Sequence, residues 1–119
     1  MYPASMTHFQ LPLEIDPAAF AASLEHSSAT APLLLDVRET WEFDLAHLPD
    51  SLSMPMGDVP SRAHIELDPD RPIITICHHG VRSLHVANWL RAQGFEHAQS
   101  LSGGIDAWSR EIDPSMPRY

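Results

Sequence analysis

The segment Ile73-Ile74-Thr75-Ile76-Cys77 constrains this chain more than any other. Four consecutive β-branched residues fit a pleated, packed surface and mark a strand. The short loop His78-His79-Gly80-Val81-Arg82 follows, and Ser83 then opens a helix that runs to Gln93 and closes at Gly94. Ser83, Val86, Ala87 and Leu90 fall at i, i+3, i+4 and i+7, so they share one helical face. Leu33-Leu34-Leu35-Asp36-Val37 is a second strand, apolar without alternation, the pattern of burial on both faces.

The remaining elements alternate in the same way. Asp16 caps a helix that has Pro17 at its first position and runs to Leu24. A loop spans Ala29 to Pro32, and Glu39 to Ala46 forms a short helix with Trp41 and Leu45 on one face. A short strand lies at Ser51 to Met54, and a helix capped by Asp58 runs to Glu66. Asp68 to Pro72 is a turn cluster, His97 to Leu101 a last strand, and Gly103-Gly104 leads into a helix through Trp108. An extended tail covers 113–119. Strands alternating with helices predict an α/β fold: a central parallel sheet of about five strands with helices on both faces. No repeat or linker divides the chain, so 1–119 reads as a single domain with its core at about 16–108. Ligands of such sheets bind beyond the carboxyl ends of the strands, where Cys77 stands.

Charge and composition narrow the partners. A formal net charge of -9 offers no basic footprint for nucleic acid or an anionic membrane surface. No apolar run approaches the length of a membrane span. The first residues lack a basic segment followed by an apolar one, so a cytoplasmic location is the expectation. The single cysteine allows no internal disulfide and fits a reducing compartment.

A lone cysteine is usually a small buried hydrophobe. Three features argue otherwise for Cys77. It ends a buried strand, so its sulfur should emerge at the sheet edge. Its loop enters a helix whose first N–H groups and dipole favour an anion, by roughly 0.3–1 kcal/mol and up to about 2 when partly buried. Arg82 closes the loop with a permanent charge, and Gly80 lets the amides turn inward. All three favour the thiolate, which is the nucleophilic form.

These residues carry a resemblance. Cys77-His78-His79-Gly80-Val81-Arg82-Ser83 resembles the active-site loop of rhodanese-like domains, Cys-x-x-Gly-x-Arg followed by a small residue. Leu35-Asp36-Val37-Arg38-Glu39 with Trp41-Glu42-Phe43, then His47-Leu48-Pro49, Gly94-Phe95 and the run Leu101 to Trp108 are similar to the family's other signatures, in order. The resemblance implies a sulfurtransferase in which Cys77 takes the outer sulfur of a small donor such as thiosulfate as a persulfide. A thiol or cyanide acceptor then removes it. Residues 78–83 would form the substrate-binding loop, and the family uses no metal or organic cofactor. A protein-binding or sulfur-relay module without turnover, whose Cys77 accepts sulfur only from a protein partner, is the alternative. Cell-cycle phosphatases of the same fold place five residues between Cys and Arg, whereas here there are four. One residue spans about 3.3–3.6 Å, so the shorter loop favours sulfur over a tetrahedral phosphate.

Some positions depart from the pattern. Ala46 and Asp50 stand where glycine is usual, and Ser53 where asparagine is common. His78-His79 replaces the Arg or Lys of many active members, and neutral imidazoles predict weaker thiosulfate handling. Cys77, His78, His79 and His85 lack metal-ligand spacing, so no metal is expected. Asp36 and Arg38 lie near the loop. Asp36 either orients Arg82 or, as the favoured reading, serves as a cap or structural ion pair. Trp41, Trp89 and Trp108 read as packing residues.

Overall fold

In the computed structural model, which describes residues 10–24 and 31–119, both apolar runs are neighbouring strands inside one sheet. The described strands are β1 (Glu14–Ile15), β2 (Leu33–Asp36), β3 (Leu52–Ser53), β4 (Ile73–Ile76) and β5 (Ala98–Leu101). They lie in the order β1-β5-β4-β2-β3, and every pair is parallel. Leu35 stands opposite Thr75, and Asp36 opposite Ile76. The helices are α1 (Pro17–Leu24), α2 (Thr40–Leu45), α3 (Val59–Glu66), α4 (Val81–Ala92) and α5 (Gly104–Glu111). The α/β fold with a five-strand parallel sheet is as expected.

Successive strand side chains point to opposite faces, and this splits the core in two. Leu35, Val37, Ile73 and Cys77 pack with Val59 and Ala63 of α3 and with Val86, Ala87 and Leu90 of α4. Leu34, Ile74 and Ile76 pack on the other face with Phe20 of α1 and with Ile105 and Trp108 of α5. Each fully buried Leu or Ile contributes roughly 1.5–3 kcal/mol. Thr75 is the polar interruption in β4, and its hydroxyl donates to the Ser83 carbonyl at 2.8 Å. The Ser83 and Ser100 hydroxyls meet at 2.7 Å, and all three residues are buried. These bonds fasten the start of α4 to the sheet, directly after the Cys77 loop.

Several boundaries differ from expectation, each for a local reason. The strand expected at Ser51 to Met54 shrinks to Leu52–Ser53, because it is an edge strand bracketed by Pro49 and Pro55. The two-residue β1 was not anticipated; it pairs Glu14 with Ser100. Asp58 precedes α3 but makes no side-chain cap, facing Arg62 at 3.8 Å instead. In α2, Trp41 and Leu45 do share a face, but it is exposed, and Glu42 is the buried residue. Helix α4 opens at Val81 rather than Ser83, because Gly80 takes φ 104° and serves as its N-cap. Helix α5 continues past Trp108 to Glu111, supported by an Asp106–Arg110 pair at 3.0 Å. Segment 113–119 is not simply extended: it turns through 114–116 and brings Tyr119 to the carboxyl end of the sheet. Asp16 caps α1 as expected, accepting from Ala19 N at 2.8 Å. Of the loop expected at Ala29 to Pro32, residues 29 and 30 lie outside the described residues.

Candidate active site

Cys77 is the first residue beyond β4, a central strand with β2 and β5 on its two sides. The chain then reverses within three residues and enters α4. The Gly80 N–H donates to the Cys77 sulfur at 3.0 Å. The first helical bond of α4 runs from Leu84 N to Gly80 O at 3.1 Å, so the amides of Val81 to Ser83 precede any intrahelical partner. Gly80 needs its positive φ for this turn. Cys77 is only 1% exposed. The expectation that its sulfur emerges is therefore corrected: it stands at the sheet edge, but on the floor of the loop and in contact with the core.

Helix α5 grips the loop from one side through backbone alone. Ile105 N donates to the Cys77 carbonyl at 2.8 Å, and Asp106 N to the His78 carbonyl at 3.0 Å. A Cβ at Gly104 would collide with both carbonyls, so this approach requires glycine.

The other side is held by charge. Arg82 places Nη1 at 2.7 Å from Glu42 Oε1 and Nη2 at 3.0 Å from Oε2. Glu42 also accepts from its neighbour Glu39 N at 3.0 Å, as part of a capping box on α2. The Arg82 hydrogen bonds, opposed by burial, pull the Glu42 carboxyl down to about 2, and Glu42 in turn raises the pKa of Arg82. The reading in which Asp36 orients Arg82 is thereby corrected. Asp36 is committed to Arg38, which reaches its two carboxylate oxygens at 2.9 and 2.7 Å, with both side chains fully buried. That is the structural pair of the favoured reading. Arg38 also donates to the Ala46 carbonyl at 2.6 Å.

The other residues expected in the loop fall into separate groups. His78 stacks on His79 with ring centroids 3.9 Å apart. Burial, and then the neighbouring His79, lower the pKa of His78, so that ring is neutral at pH 7. Val81 is exposed at the rim, while Ser83 turns into the core. Among the described residues, His78, His79 and Asp106 bring ligand atoms within 4.8 Å. Nearly parallel stacked rings do not aim their nitrogens at one ion, and Asp106 already pairs with Arg110 and Arg118. A groove of about 280 Å³ beside α4, lined by residues that include Met56, His85 and Trp89, does not include Cys77 in its lining. Trp108 packs as expected, whereas Trp41 is 61% exposed.

Glu42 and Tyr119 were not among the expected site residues. Tyr119 donates to Glu42 Oε2 at 2.7 Å and lies on the face of His78. Glu42 carried two sequence signals, its place in the Trp41-Glu42-Phe43 segment and its position three residues after Glu39 in a capping-box spacing. Nothing in the sequence pointed to Tyr119.

A family model described as "Rhodanese-like domain" matches residues 16–111. The thiosulfate sulfurtransferase GlpE of Actinobacillus pleuropneumoniae is 34% identical, covering 89% of this chain and 94% of its own length. The rhodanese-like/PpiC domain-containing protein 12 of Arabidopsis thaliana is 39% identical over 72% of this chain, which spans only 30% of that relative. The chain spans 21% to 25% of several further relatives, named adenylyltransferase and sulfurtransferase. Among solved structures, the rhodanese-like domain of the Alr3790 protein from Anabaena superposes with a TM-score of 0.76 at 27% identity, covering 88% of this chain and 83% of that one. Among the described residues, no helix is long and apolar enough to cross a membrane.

Proposed function

This chain belongs to the rhodanese-like domain family, and from that premise we propose that it is a sulfurtransferase carrying sulfur on Cys77. The observation that carries the reading is the Gly80 N–H donating to the Cys77 sulfur at 3.0 Å, in a loop that enters α4. A sulfur anion in that place is favoured by the amide, by the helix dipole and by Arg82.

The chemistry follows from the thiolate. It attacks the outer sulfur of thiosulfate, the donor's S–S bond breaks, and sulfite leaves with the bonding pair. Cys77 then holds a persulfide whose terminal sulfur carries the negative charge. Cyanide or a thiolate attacks that sulfur, the persulfide bond breaks, and the Cys77 thiolate is restored. Sulfur is transferred with no external oxidant, and the groups used are all on this chain. Residues 77–82 cradle the persulfide, with Arg82 as the cation facing donor and product. Asp36 and Arg38 support the sheet edge without touching substrate. The whole chain acts as one domain in the cytoplasm.

A relay role is the second reading, favoured by the relatives named adenylyltransferase and sulfurtransferase. The two separate by turnover. Thiocyanate released from thiosulfate and cyanide at many equivalents per protein, and none by Cys77→Ser, supports the enzyme. Sulfur accepted only from a cysteine desulfurase supports the relay. Hydrolysis of an aryl phosphate without sulfur transfer would overturn both.

A further inference from the structure

The chemistry just proposed uses Cys77 and Arg82 and gives Tyr119 no part, yet Tyr119 is held at the site from several directions. Its hydroxyl donates to Glu42 Oε2 at 2.7 Å and accepts from Arg38 Nη1 at 2.9 Å. Its ring lies on His78, centroids 4.0 Å apart and planes within 12°. Trp41 meets it edge-on at 6.1 Å, which gives that exposed tryptophan a partner. The preceding residues hold it there: Met116 N bonds to Asp113 O at 3.1 Å, and Arg118 reaches Asp106 on α5 at 3.3 Å. An unbroken line of hydrogen bonds therefore runs Asp36, Arg38, Tyr119, Glu42, Arg82, from the end of β2 to the Cys77 loop.

The Glu42 carboxylate faces two donors beyond its own helix, the Arg82 guanidinium and the Tyr119 hydroxyl. The more of its charge the hydroxyl holds, the less it neutralises Arg82. The ring acts separately, covering His78, the residue directly after Cys77. Resting on the sulfurtransferase reading, we propose that Tyr119 is a positioning residue for anionic sulfur donors. Its hydroxyl draws on Glu42 so that Arg82 keeps positive potential over Cys77, and its ring keeps His78 packed against the loop.

The hydroxyl and the ring are separable by two variants of the full chain, Tyr119→Phe and Tyr119→Ala. The readout is Cys77 alkylation at pH 7 by iodoacetate, an anion, and by iodoacetamide, which is neutral and of similar size. This needs no sulfur transfer. Tyr119→Phe is expected to slow iodoacetate about threefold, to leave iodoacetamide within about a factor of two, and to raise the thiosulfate KM about threefold with kcat little changed. His78 faces His79, Asp106, Glu42 and Arg82. Its imidazole titration, followed by NMR, should stay put in Tyr119→Phe. In Tyr119→Ala it should rise, because burial is the largest cause of its lowered pKa. An iodoacetate-to-iodoacetamide ratio equal to the parent's in both variants overturns the proposal. So does an equal loss with both reagents in Tyr119→Phe, which would mark a structural role only. If the ratio falls as expected while the parent protein forms no persulfide with any donor, the positioning role stands and the sulfur reading fails.

Discussion

The Cys77 loop is held on two sides by different means. On the α5 side the grip is backbone to backbone, Ile105 and Asp106 amides on the Cys77 and His78 carbonyls, with Gly104 supplying the space. On the α2 side the grip is made by side chains, with Arg82 on Glu42 and Glu42 on Tyr119. Backbone bonds fix where the loop runs and carry little net charge. Side-chain ion pairs set the potential over the sulfur and titrate with pH. Shape and charge at this site are thus controlled from opposite sides, and they should fail independently.

The largest expected effect comes from breaking the shape side. Gly104→Ala places a Cβ against two carbonyls at a residue with φ 62°. It should cost roughly 2–5 kcal/mol of unfolding free energy by denaturant titration, from backbone strain plus the loss of one or two hydrogen bonds. Alkylation by neutral and anionic reagents should change together. An anion-selective effect would break the distinction between the two sides.

The next effect is on the charge side. Glu42 titrates at about 2 in the folded protein against an ordinary 4.5. A depressed carboxyl contributes stability that is fully present above about pH 4.5 and is lost as the pH falls through about 2. Arg82 is 31% exposed, so solvent screening reduces the contribution to roughly 1–3 kcal/mol. Glu42→Gln should lose that amount at pH 7, and its stability should fall less steeply than the parent's between pH 4.5 and 2. Equal acid slopes, measured by thermal melting across that range, would remove Glu42 from the account.

The two sides also differ in how far the sequence announced them. Gly103-Gly104 before a helix, the β-branched run into Cys77, and the i, i+3, i+4, i+7 face of α4 are local patterns, and each became the element it suggested. The charge side depends on distant pairings. Glu42 and Arg82 are 40 residues apart, and Glu42 and Tyr119 are 77 apart. No spacing rule links such positions. Asp36 was the acidic candidate the sequence offered because it ends the adjacent buried strand, but Arg38, two residues away, claims it completely. The buried sulfur was hidden for a related reason: alternation along β4 turns Cys77 toward α4, and only the packed helix shows that the sulfur is covered.

The smallest effect is a gain. His79 is exposed and lies beside His78, whose ring is neutral at pH 7. His79→Lys adds a screened positive charge and should raise kcat/KM for thiosulfate by about twofold to fivefold, diminishing as salt is added. Stability should stay within about 0.5 kcal/mol of the parent. An equal gain for a neutral donor would mean that charge is not the cause.

The central claim is that Cys77 holds the sulfur. Intact mass spectrometry after incubation with thiosulfate tests it directly, with Cys77→Ser alongside. The account predicts a mass gain of one sulfur atom on the parent protein alone, removed by cyanide. A sulfur adduct on Cys77→Ser, or none on the parent with either thiosulfate or a cysteine desulfurase as donor, would contradict it.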